Sequence, residues 1–191
     1  MSFGTDFDGC LFDMSPIIQE VALKEFGRPI LAGIIAGYNL AEIYNLTEDQ
    51  IKKLILICQE DRYLTPEHFM PGARETLNHL GNSAGYPIIV ITSRSRVEPV
   101  KEFLRENLDV DPRRILVLHA HSVDKGKCAY SLGLEMFLDD YHESLRAVMD
   151  YGIRPLLFNQ IWNQQLPRGR AYRNMERITN WQQLRLSLCG A

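Results

Sequence analysis

The sequence FGTDFDGCLFD, residues 3–13, carries two aspartates two positions apart on a short apolar segment that runs into a glycine. If this segment is a β-strand, alternate side chains point to the same face, so Asp6 and Asp8 project to one side. Two carboxylates this close repel each other, and one takes up a proton unless a cation lies between them. The alternative is a strand that ends in an ordinary Asp-Gly turn, where both residue types are common.

Four further apolar segments predict buried strands that alternate with helices. They are PIIVIT (87–92), RILVLH (114–119), EMFLDD (135–140) and RPLLFN (154–159). Continuous apolar runs are typical of parallel strands that are covered on both faces. The helical segments between them end at glycines such as Gly133 and Gly152, a common helix terminator. The alternation predicts an α/β fold with a Rossmann-like, doubly wound parallel sheet.

A long segment with a helical pattern separates the first strand from the second. Within it, Thr47 followed by Gln50 matches a capping box ahead of an apolar helix. An insert directly after the first strand lies above the carboxyl ends of the strands, which is where open α/β sheets bind ligands. We therefore expect a core of residues 1–14 and 71–191, with a small helical cap of residues 15–70 inserted after the first strand.

Composition and charge predict an ordinary soluble protein. The 191 residues fit one domain with a modest insertion. The formal net charge of −3 provides no basic field that would attract nucleic acid or a membrane, and no apolar run is long enough to cross a bilayer. Four dispersed cysteines without a CxxC pair favour a reducing compartment, and no signal peptide is evident. We expect a cytoplasmic protein; whether it forms a homo-oligomer stays open.

Polar and charged residues stand at the carboxyl ends of the predicted strands. They are Asp6 and Asp8 at the end of the first strand, Thr92, Ser93 and Arg94 at the end of the second, Asp139 and Asp140 at the end of the fourth, and Lys125 at the start of the helix after the third. Because the carboxyl ends of parallel strands meet at one edge of the sheet, these groups should converge. Lys127 is the alternative to Lys125, since it lies only two residues further on.

The motifs DFDGCLFD, VITSR, Lys125 and FLDD resemble those of the haloacid dehalogenase superfamily. The match covers the whole predicted core, and the insert resembles the C1-type helical cap of that superfamily. The tail LLFNQIWNQQLPRGRAYRNMERITNWQQL is similar to that of the 5'(3')-deoxyribonucleotidase branch. The resemblance implies a Mg²⁺-dependent phosphomonoesterase that acts through an aspartyl-phosphate on a small phosphorylated substrate, with nucleoside monophosphates as candidates.

The resemblance also implies a catalytic role for each of four residues. Asp6 would be the nucleophile, and Asp8 would protonate the leaving oxygen and then activate the hydrolytic water. Thr92 would donate a hydrogen bond to the phosphoryl group, although a β-branched residue is also ordinary in a strand. Lys125 would neutralise charge on Asp6 and on the phosphate.

The same resemblance implies the metal and phosphate ligands. The Mg²⁺ would be held by the side chains of Asp6 and Asp139 and by the main-chain carbonyl of Asp8, with Asp140 acting directly or through water. The phosphate site would comprise Gly9, Thr92, Ser93, Arg94 and Lys125. Gly9 would let backbone N–H groups approach the anion closely. For Arg94 the alternative is a surface role, and for Asp140 it is a helix N-cap.

Other functions stay open at this stage. The residues also suit a sugar-phosphate phosphatase or phosphomutase, and a non-catalytic module that binds phosphate or nucleic-acid ends is the rival outside enzymes. A kinase or a NAD enzyme is disfavoured because the GxxxxGK[ST] and GxGxxG motifs are absent. The aromatic residues that could stack on a base within the cap are Tyr38, Tyr44, Tyr63 and Phe69.

Overall fold

A computed structural model describes residues 2–29, 43–164, 172 and 175–189 of the chain. Within these ranges six strands form one sheet, and every pair of neighbouring strands is parallel. The strands are β1 (Phe3–Thr5), β2 (Ile88–Thr92), β3 (Ile115–His119), β4 (Met136–Asp139), β5 (Arg154–Phe158) and β6 (Glu176–Ile178). Their order in the sheet is β3-β2-β1-β4-β5-β6. The predicted doubly wound α/β fold is confirmed.

Helices follow the strands and cover both faces of the sheet. They are α1 (Ser15–Phe26), α2 (Glu48–Cys58), α3 (Ala73–Asn82), α4 (Glu98–Asn107), α5 (Lys125–Ser131), α6 (His142–Met149) and α7 (Trp181–Cys189). Short 3₁₀ turns lie between several of these elements. In the described part of the chain, no helix has the length and apolar character needed to cross a membrane.

Alternate strand residues belong to two separate apolar cores. Val90 and Leu138 pack in one core with residues of α3, α4 and α7. Ile91 and Phe137 pack in the other core with residues of α5 and α6. Because both faces of each central strand are buried, the strand sequences are continuously apolar rather than alternating, as the sequence pattern indicated.

The capping box predicted at residue 47 is present at the start of α2. The Thr47 hydroxyl accepts a hydrogen bond from the Gln50 N–H at 3.3 Å, and the Gln50 side-chain oxygen accepts one from the Thr47 N–H at 2.9 Å. Helix α2 then packs against α1. Both helices belong to the segment that follows β1.

The sixth strand was not predicted from the sequence. It is only three residues long and reads Glu-Arg-Ile, so it lacks the apolar run that marks the other strands. Its pairing with β5, which places Ile178 opposite Phe158, supplies the strand structure that its own sequence does not indicate. Tertiary pairing therefore decides this element.

The strand order places β1 between β2 and β4. After β1 the chain adds β2 and β3 on one side of β1, and then adds β4, β5 and β6 on the other side. The point where the strand order reverses leaves a crevice at the carboxyl ends of the strands. The backbone N–H of Asp6 donates to the carbonyl of Leu138 at 2.8 Å. Asp6 therefore lies directly beside the end of β4, whose last residue is Asp139.

Candidate active site

A buried lysine lies between two aspartates at the ends of β1 and β4. The Lys125 ammonium is 2.9 Å from Asp6 Oδ2 and 2.8 Å from Asp139 Oδ2, and its side chain is only 2% exposed. Lys127, the alternative motif lysine, is exposed. Residue 125 is the first residue of α5, the helix that follows β3.

The electrostatics of this cluster follow from burial and like charges. Burial raises the pKa of Asp6 well above its usual range, the Lys125 ammonium opposes that rise, and the nearby carboxylates of Asp139, Asp140 and Asp8 add to it. Burial acts to lower the pKa of Lys125, but the two aspartates that contact it outweigh burial and raise its pKa above the usual value. Lys125 therefore stays protonated at neutral pH.

Three carboxylates of the cluster lie close enough to share one ion. Asp6, Asp139 and Asp140 are all buried, and each offers an oxygen within 4.8 Å of the others. The second oxygen of Asp139, Oδ1, accepts a hydrogen bond from the Tyr141 N–H at 2.8 Å, and this bond helps to orient the carboxylate. A set of carboxylate oxygens of this kind suits a hard divalent cation.

Gly9 makes room for one of these carboxylates. Its φ of +76° lies in the left-handed region that favours glycine, and a Cβ there would be 2.5 Å from Asp140 Oδ2. The Gly9 N–H itself donates to the carbonyl of Phe12 at 2.8 Å. In this structure the missing side chain thus permits the close approach of Asp140, while binding of an anion by the backbone at Gly9 stays a prediction.

Asp8, the second aspartate of the opening motif, is paired with Arg94. The guanidinium holds the carboxylate through two parallel hydrogen bonds, Nε to Oδ2 at 2.9 Å and Nη2 to Oδ1 at 2.7 Å. The Arg94 side chain is 3% exposed, whereas the Asp8 side chain is 27% exposed. The alternative of a surface role for Arg94 is therefore wrong.

The hydroxyl residues at the end of β2 differ in their surroundings. Thr92 is fully buried, and its hydroxyl accepts a hydrogen bond from the Arg94 N–H at 3.2 Å. Ser93 is exposed, and its hydroxyl donates to the carbonyl of Ala120 at 3.3 Å. Contacts of Thr92, Ser93 and Arg94 with a phosphate stay predictions.

The loop after β5 supplies residues that the sequence analysis did not assign to the site. The indole N–H of Trp162 donates to Asp140 Oδ2 at 2.7 Å, and the side-chain amide of Asn163 donates to the Asp140 carbonyl at 2.8 Å. The Gln160 amide donates to the Gly9 carbonyl at 2.6 Å. Their position in the sequence could have identified them, because polar residues directly after a buried parallel strand lie at the same sheet edge as the aspartates.

No family model matches the chain, and no curated protein sequence matches it significantly. Many solved structures do match. A predicted phosphoglycolate phosphatase from Haemophilus somnus is 18% identical, with 98% of this chain and 96% of that one covered and a TM-score of 0.62. A haloacid dehalogenase-like family protein from Streptococcus pneumoniae is 18% identical, with 83% and 84% covered and a TM-score of 0.55.

A third similar structure is β-phosphoglucomutase from Clostridium difficile, 14% identical over 98% of this chain and 94% of that one, with a TM-score of 0.54. The fold is that of the haloacid dehalogenase-like hydrolases. This agrees with the superfamily resemblance of the motifs. The narrower resemblance to the 5'(3')-deoxyribonucleotidase branch stays a prediction.

A cleft of about 420 Å³ opens above the haloacid dehalogenase-like core. Its lining includes Asp6, Asp8 and Asp140, and the remaining wall is largely apolar and aromatic. The wall residues are Met14, Ile18, Ile43, Tyr44, Ile55, Tyr141, Ile161 and Trp162, with Ser15, Gln19 and Gln59 as polar members. Most of these wall residues belong to the segment between β1 and β2, and Tyr141, Ile161 and Trp162 come from the loops after β4 and β5.

The four aromatic residues suggested for base stacking fall into different places. Tyr44 lines the cleft, whereas Phe69 stacks on Phe103 with ring centroids 4.9 Å apart, and Tyr63 lies against the Arg62 guanidinium. Tyr38 lies outside the described residues. Of the three that the structure describes, only Tyr44 borders the cleft.

Proposed function

We propose that the protein is a Mg²⁺-dependent phosphomonoesterase with Asp6 as its nucleophile. The observation that carries this proposal is the buried arrangement of Asp6, Lys125 and Asp139, with Asp140 beside it, at the crevice of a haloacid dehalogenase-like fold. Phosphate monoesters hydrolyse so slowly in water that enzymes accelerate the reaction by up to ~10²¹. A covalent intermediate divides this displacement into two easier steps.

In the first step Asp6 attacks the phosphorus of the bound monoester. A bond forms between an Asp6 oxygen and phosphorus, and the bond from phosphorus to the leaving oxygen breaks. Asp8 gives its proton to that oxygen, so the leaving group departs as an alcohol. Lys125, 2.9 Å from Asp6 Oδ2, stabilises the negative charge on the carboxylate and on the phosphoryl oxygens nearby.

In the second step water hydrolyses the aspartyl-phosphate. Asp8, now ionised, takes a proton from the water as the water oxygen attacks phosphorus. The bond between Asp6 and phosphorus breaks, inorganic phosphate leaves, and both aspartates return to their starting states. Asp8 lines the cleft and is partly exposed, which gives it access to both the alcohol and the water.

The residues present fit a magnesium ion. Three buried carboxylates with oxygens within 4.8 Å of one another form the acidic cluster, and Lys125 contacts two of them, Asp6 and Asp139. Asp6, Asp139 and Asp140 would hold the ion with their side chains, and Asp8 with its main-chain carbonyl. When bound, Mg²⁺ offsets the negative charge of the carboxylates and the transferring phosphoryl group.

We further propose that residues 15–70 form a cap over a core of residues 1–14 and 71–191. Supporting it, helices α1 and α2 pack on each other and contribute Ile18 and Ile55 to the cleft wall. A cap in this position would contact the part of the substrate that lies beyond the phosphate. It would therefore select among phosphomonoesters.

Two substrate classes are supported by different observations. A nucleoside monophosphate suits the aromatic part of the wall, where Tyr44, Tyr141 and Trp162 offer surfaces for a base. A sugar phosphate is supported by the structural similarity to a β-phosphoglucomutase, and a small phosphorylated compound more generally by the similarity to a predicted phosphoglycolate phosphatase. A phosphomutase would use the same two aspartates but return the phosphoryl group to a sugar hydroxyl.

The test is a turnover screen on nucleoside monophosphates, sugar phosphates and p-nitrophenyl phosphate, with Mg²⁺ and with excess chelator. We expect release of inorganic phosphate in Mg²⁺ and none in chelator. Isomerisation of a sugar phosphate without net phosphate release would identify a phosphomutase. Binding of phosphorylated ends without turnover of any substrate would overturn the enzymatic proposal, and full turnover in chelator would overturn the role of the metal.

A further inference from the structure

Arg94 is a buried cation outside the lysine–aspartate cluster. Its guanidinium engages both oxygens of Asp8, at 2.9 and 2.7 Å, while its own side chain is 3% exposed. Asp8 borders the cleft, but Arg94 is not among the residues that line it. Arg94 thus lies behind Asp8 as seen from the cleft.

The surroundings of Arg94 fix the plane of its guanidinium. The guanidinium carbon lies 5.0 Å from the centroid of the Phe7 ring and 5.4 Å from that of the Phe12 ring. Nη2 also lies 3.2 Å from the sulfur of Met14. The aromatic rings attract the cation, and these contacts restrict the orientation of its planar hydrogen-bonding fork.

The backbone of Arg94 is anchored as well. Its N–H donates to the Thr92 hydroxyl at 3.2 Å, and its carbonyl lies 3.0 Å from Nδ1 of His119. Both contacts tie the residue to the ends of neighbouring strands β2 and β3. The backbone of Arg94 is thus held at the ends of β2 and β3. From there its side chain reaches Asp8, which follows β1, the strand that flanks β2 on the side opposite β3.

We propose that Arg94 is a positioning residue that holds the Asp8 carboxylate in the orientation needed for proton transfer. This inference rests on the proposed function, in which Asp8 is the general acid and base. A carboxylate has about four lone-pair sites. The two parallel hydrogen bonds from Arg94 occupy sites on one side, so the others face the cleft, where the leaving oxygen and the water would be.

The inference is tested with Arg94→Met, which removes the fork but keeps an apolar side chain of similar length against Phe7 and Phe12. The measured quantity is kcat/KM in Mg²⁺ for phosphomonoesters whose leaving groups range from alkyl alcohols to p-nitrophenol. This constant covers steps only up to departure of the leaving group, where Asp8 acts as the acid.

We expect kcat/KM to fall about 100-fold for alkyl phosphates, which need a well-placed acid, and less than about 3-fold for p-nitrophenyl phosphate, whose leaving group needs little protonation. A merely structural role would lower both constants by the same factor, because it would reduce the fraction of folded enzyme. Equal losses across the series would therefore overturn the inference.

A double-mutant cycle provides the second readout. If Arg94 acts through Asp8, adding Arg94→Met to Asp8→Ala should change kcat/KM for alkyl phosphates less than about 2-fold. A further 10-fold loss in the Asp8→Ala background would show that Arg94 acts independently, and would overturn the inference. Arg94→Lys keeps the positive charge but not the two parallel hydrogen bonds. We expect kcat/KM for alkyl phosphates to fall less in this variant than in Arg94→Met, but still to fall more than kcat/KM for p-nitrophenyl phosphate.

Arg96→Met is the matched control, since Arg96 is an arginine two residues further on with a 69% exposed side chain that pairs with exposed Asp61. It should leave kcat/KM unchanged for all leaving groups. If the wild-type enzyme turns over no phosphomonoester, the proposed function and this inference both fail. Turnover by the wild type with equal losses in Arg94→Met overturns the inference alone.

Discussion

Asp6 and Lys125 show how much of the site rests on two side chains. Asp6 accepts a hydrogen bond from the Phe7 N–H at 2.7 Å through Oδ1 and contacts Lys125 through Oδ2. Because these two oxygens have separate partners, an asparagine at position 6 could keep the backbone contact through its oxygen, while its NH₂ group would replace the oxygen that contacts Lys125. The fold and the proposed nucleophile can therefore be tested separately.

Asp6→Asn should abolish phosphatase turnover, lowering kcat by at least about 10⁴-fold, because an amide oxygen cannot act as the nucleophile. The measurements are kcat on p-nitrophenyl phosphate and the thermal unfolding midpoint, which should show that the variant stays folded. Lys125 keeps its contact with Asp139 in this variant.

The control for this variant is Asp13→Asn, which changes the aspartate at the end of the same motif. Asp13 Oδ1 accepts a hydrogen bond from the Ser15 N–H at 2.9 Å, and the asparagine oxygen can do the same. We expect kcat to stay within about 2-fold of wild type. Near-normal turnover by Asp6→Asn would require another nucleophile.

Tyr44 is the aromatic residue whose replacement should discriminate between substrate classes. If a base stacks on it, Tyr44→Ala should lower kcat/KM for nucleoside monophosphates about 5- to 150-fold, since stacking is worth ~1–3 kcal/mol and each 1.36 kcal/mol is tenfold. Turnover of p-nitrophenyl phosphate should change far less. Tyr63→Ala is the control, because Tyr63 lies against Arg62 rather than in the cleft wall. An unchanged ratio in Tyr44→Ala would favour the sugar-phosphate class.

At the scale of elements, hydrogen bonds from the loop after β5 orient Asp140, one member of the acidic cluster. Arg177 of β6 donates to the Asn159 side chain and to the Asn163 carbonyl, each at 2.8 Å. Asn163 and Trp162 in turn hydrogen-bond to Asp140. The edge strand β6 is thus connected through hydrogen bonds of Asn163 to Asp140, a candidate metal ligand.

We expect Trp162→Phe to weaken Mg²⁺ affinity by about 10-fold, because groups that orient a ligating carboxylate commonly contribute 10- to 100-fold. The phenyl ring keeps the apolar contact but cannot donate a hydrogen bond to Asp140. The measurement is the Mg²⁺ concentration that gives half-maximal turnover, and also half-maximal thermal stabilisation.

Trp181→Phe is the matched control for the same type of substitution. Trp181 is fully buried, and its indole N–H donates to the Cys10 carbonyl at 2.8 Å, so this change removes an indole hydrogen bond that does not involve Asp140. It should lower the unfolding midpoint and leave the Mg²⁺ dependence unaltered. If both variants shift the Mg²⁺ dependence equally, the hydrogen bond from Trp162 to Asp140 has no specific role in ion binding.

For the whole molecule, the acidic cluster couples ion binding to stability. Burial and neighbouring carboxylates raise the pKa of Asp6 against the opposing effect of Lys125, so the folded state without a divalent ion carries unfavourable charge repulsion near neutral pH. An ion that binds only the folded state stabilises it by mass action, by about 2.7 kcal/mol at 100 times its Kd.

Saturating Mg²⁺ at pH 7.5 should therefore raise the unfolding midpoint by about 5–10 °C, since one kcal/mol corresponds to about 2–4 °C in a chain of this size. The measurement is thermal unfolding with a Mg²⁺ titration against equal ionic strength of Na⁺. Asp140→Asn should reduce the shift, because it removes one charge of the cluster. The absence of a shift in the wild type, or the same shift in the variant, would contradict the metal site.

The secondary structure was largely predictable from local sequence. Apolar runs identified β2 to β5, and the Thr47–Gln50 pair identified the start of α2, because burial on both faces and end capping depend on residues close together in the chain. β6 was the exception, since three residues with two charged members carry no local strand signal.

The sequence by itself also predicted that Asp6 and Asp139 would meet, because parallel strands end at one edge of a sheet and those residues stand at the ends. It left Lys125 and Lys127 as alternatives, and the burial of Lys125 against Asp6 decided between them. What only the tertiary structure decided is how side chains far apart in sequence pair at that edge. The Asp8–Arg94 fork joins positions separated by 86 residues, and Trp162 reaches Asp140 from a different loop. Strand order determines which loops are neighbours, but packing around each side chain determines its direction, and no local pattern in the sequence records that packing.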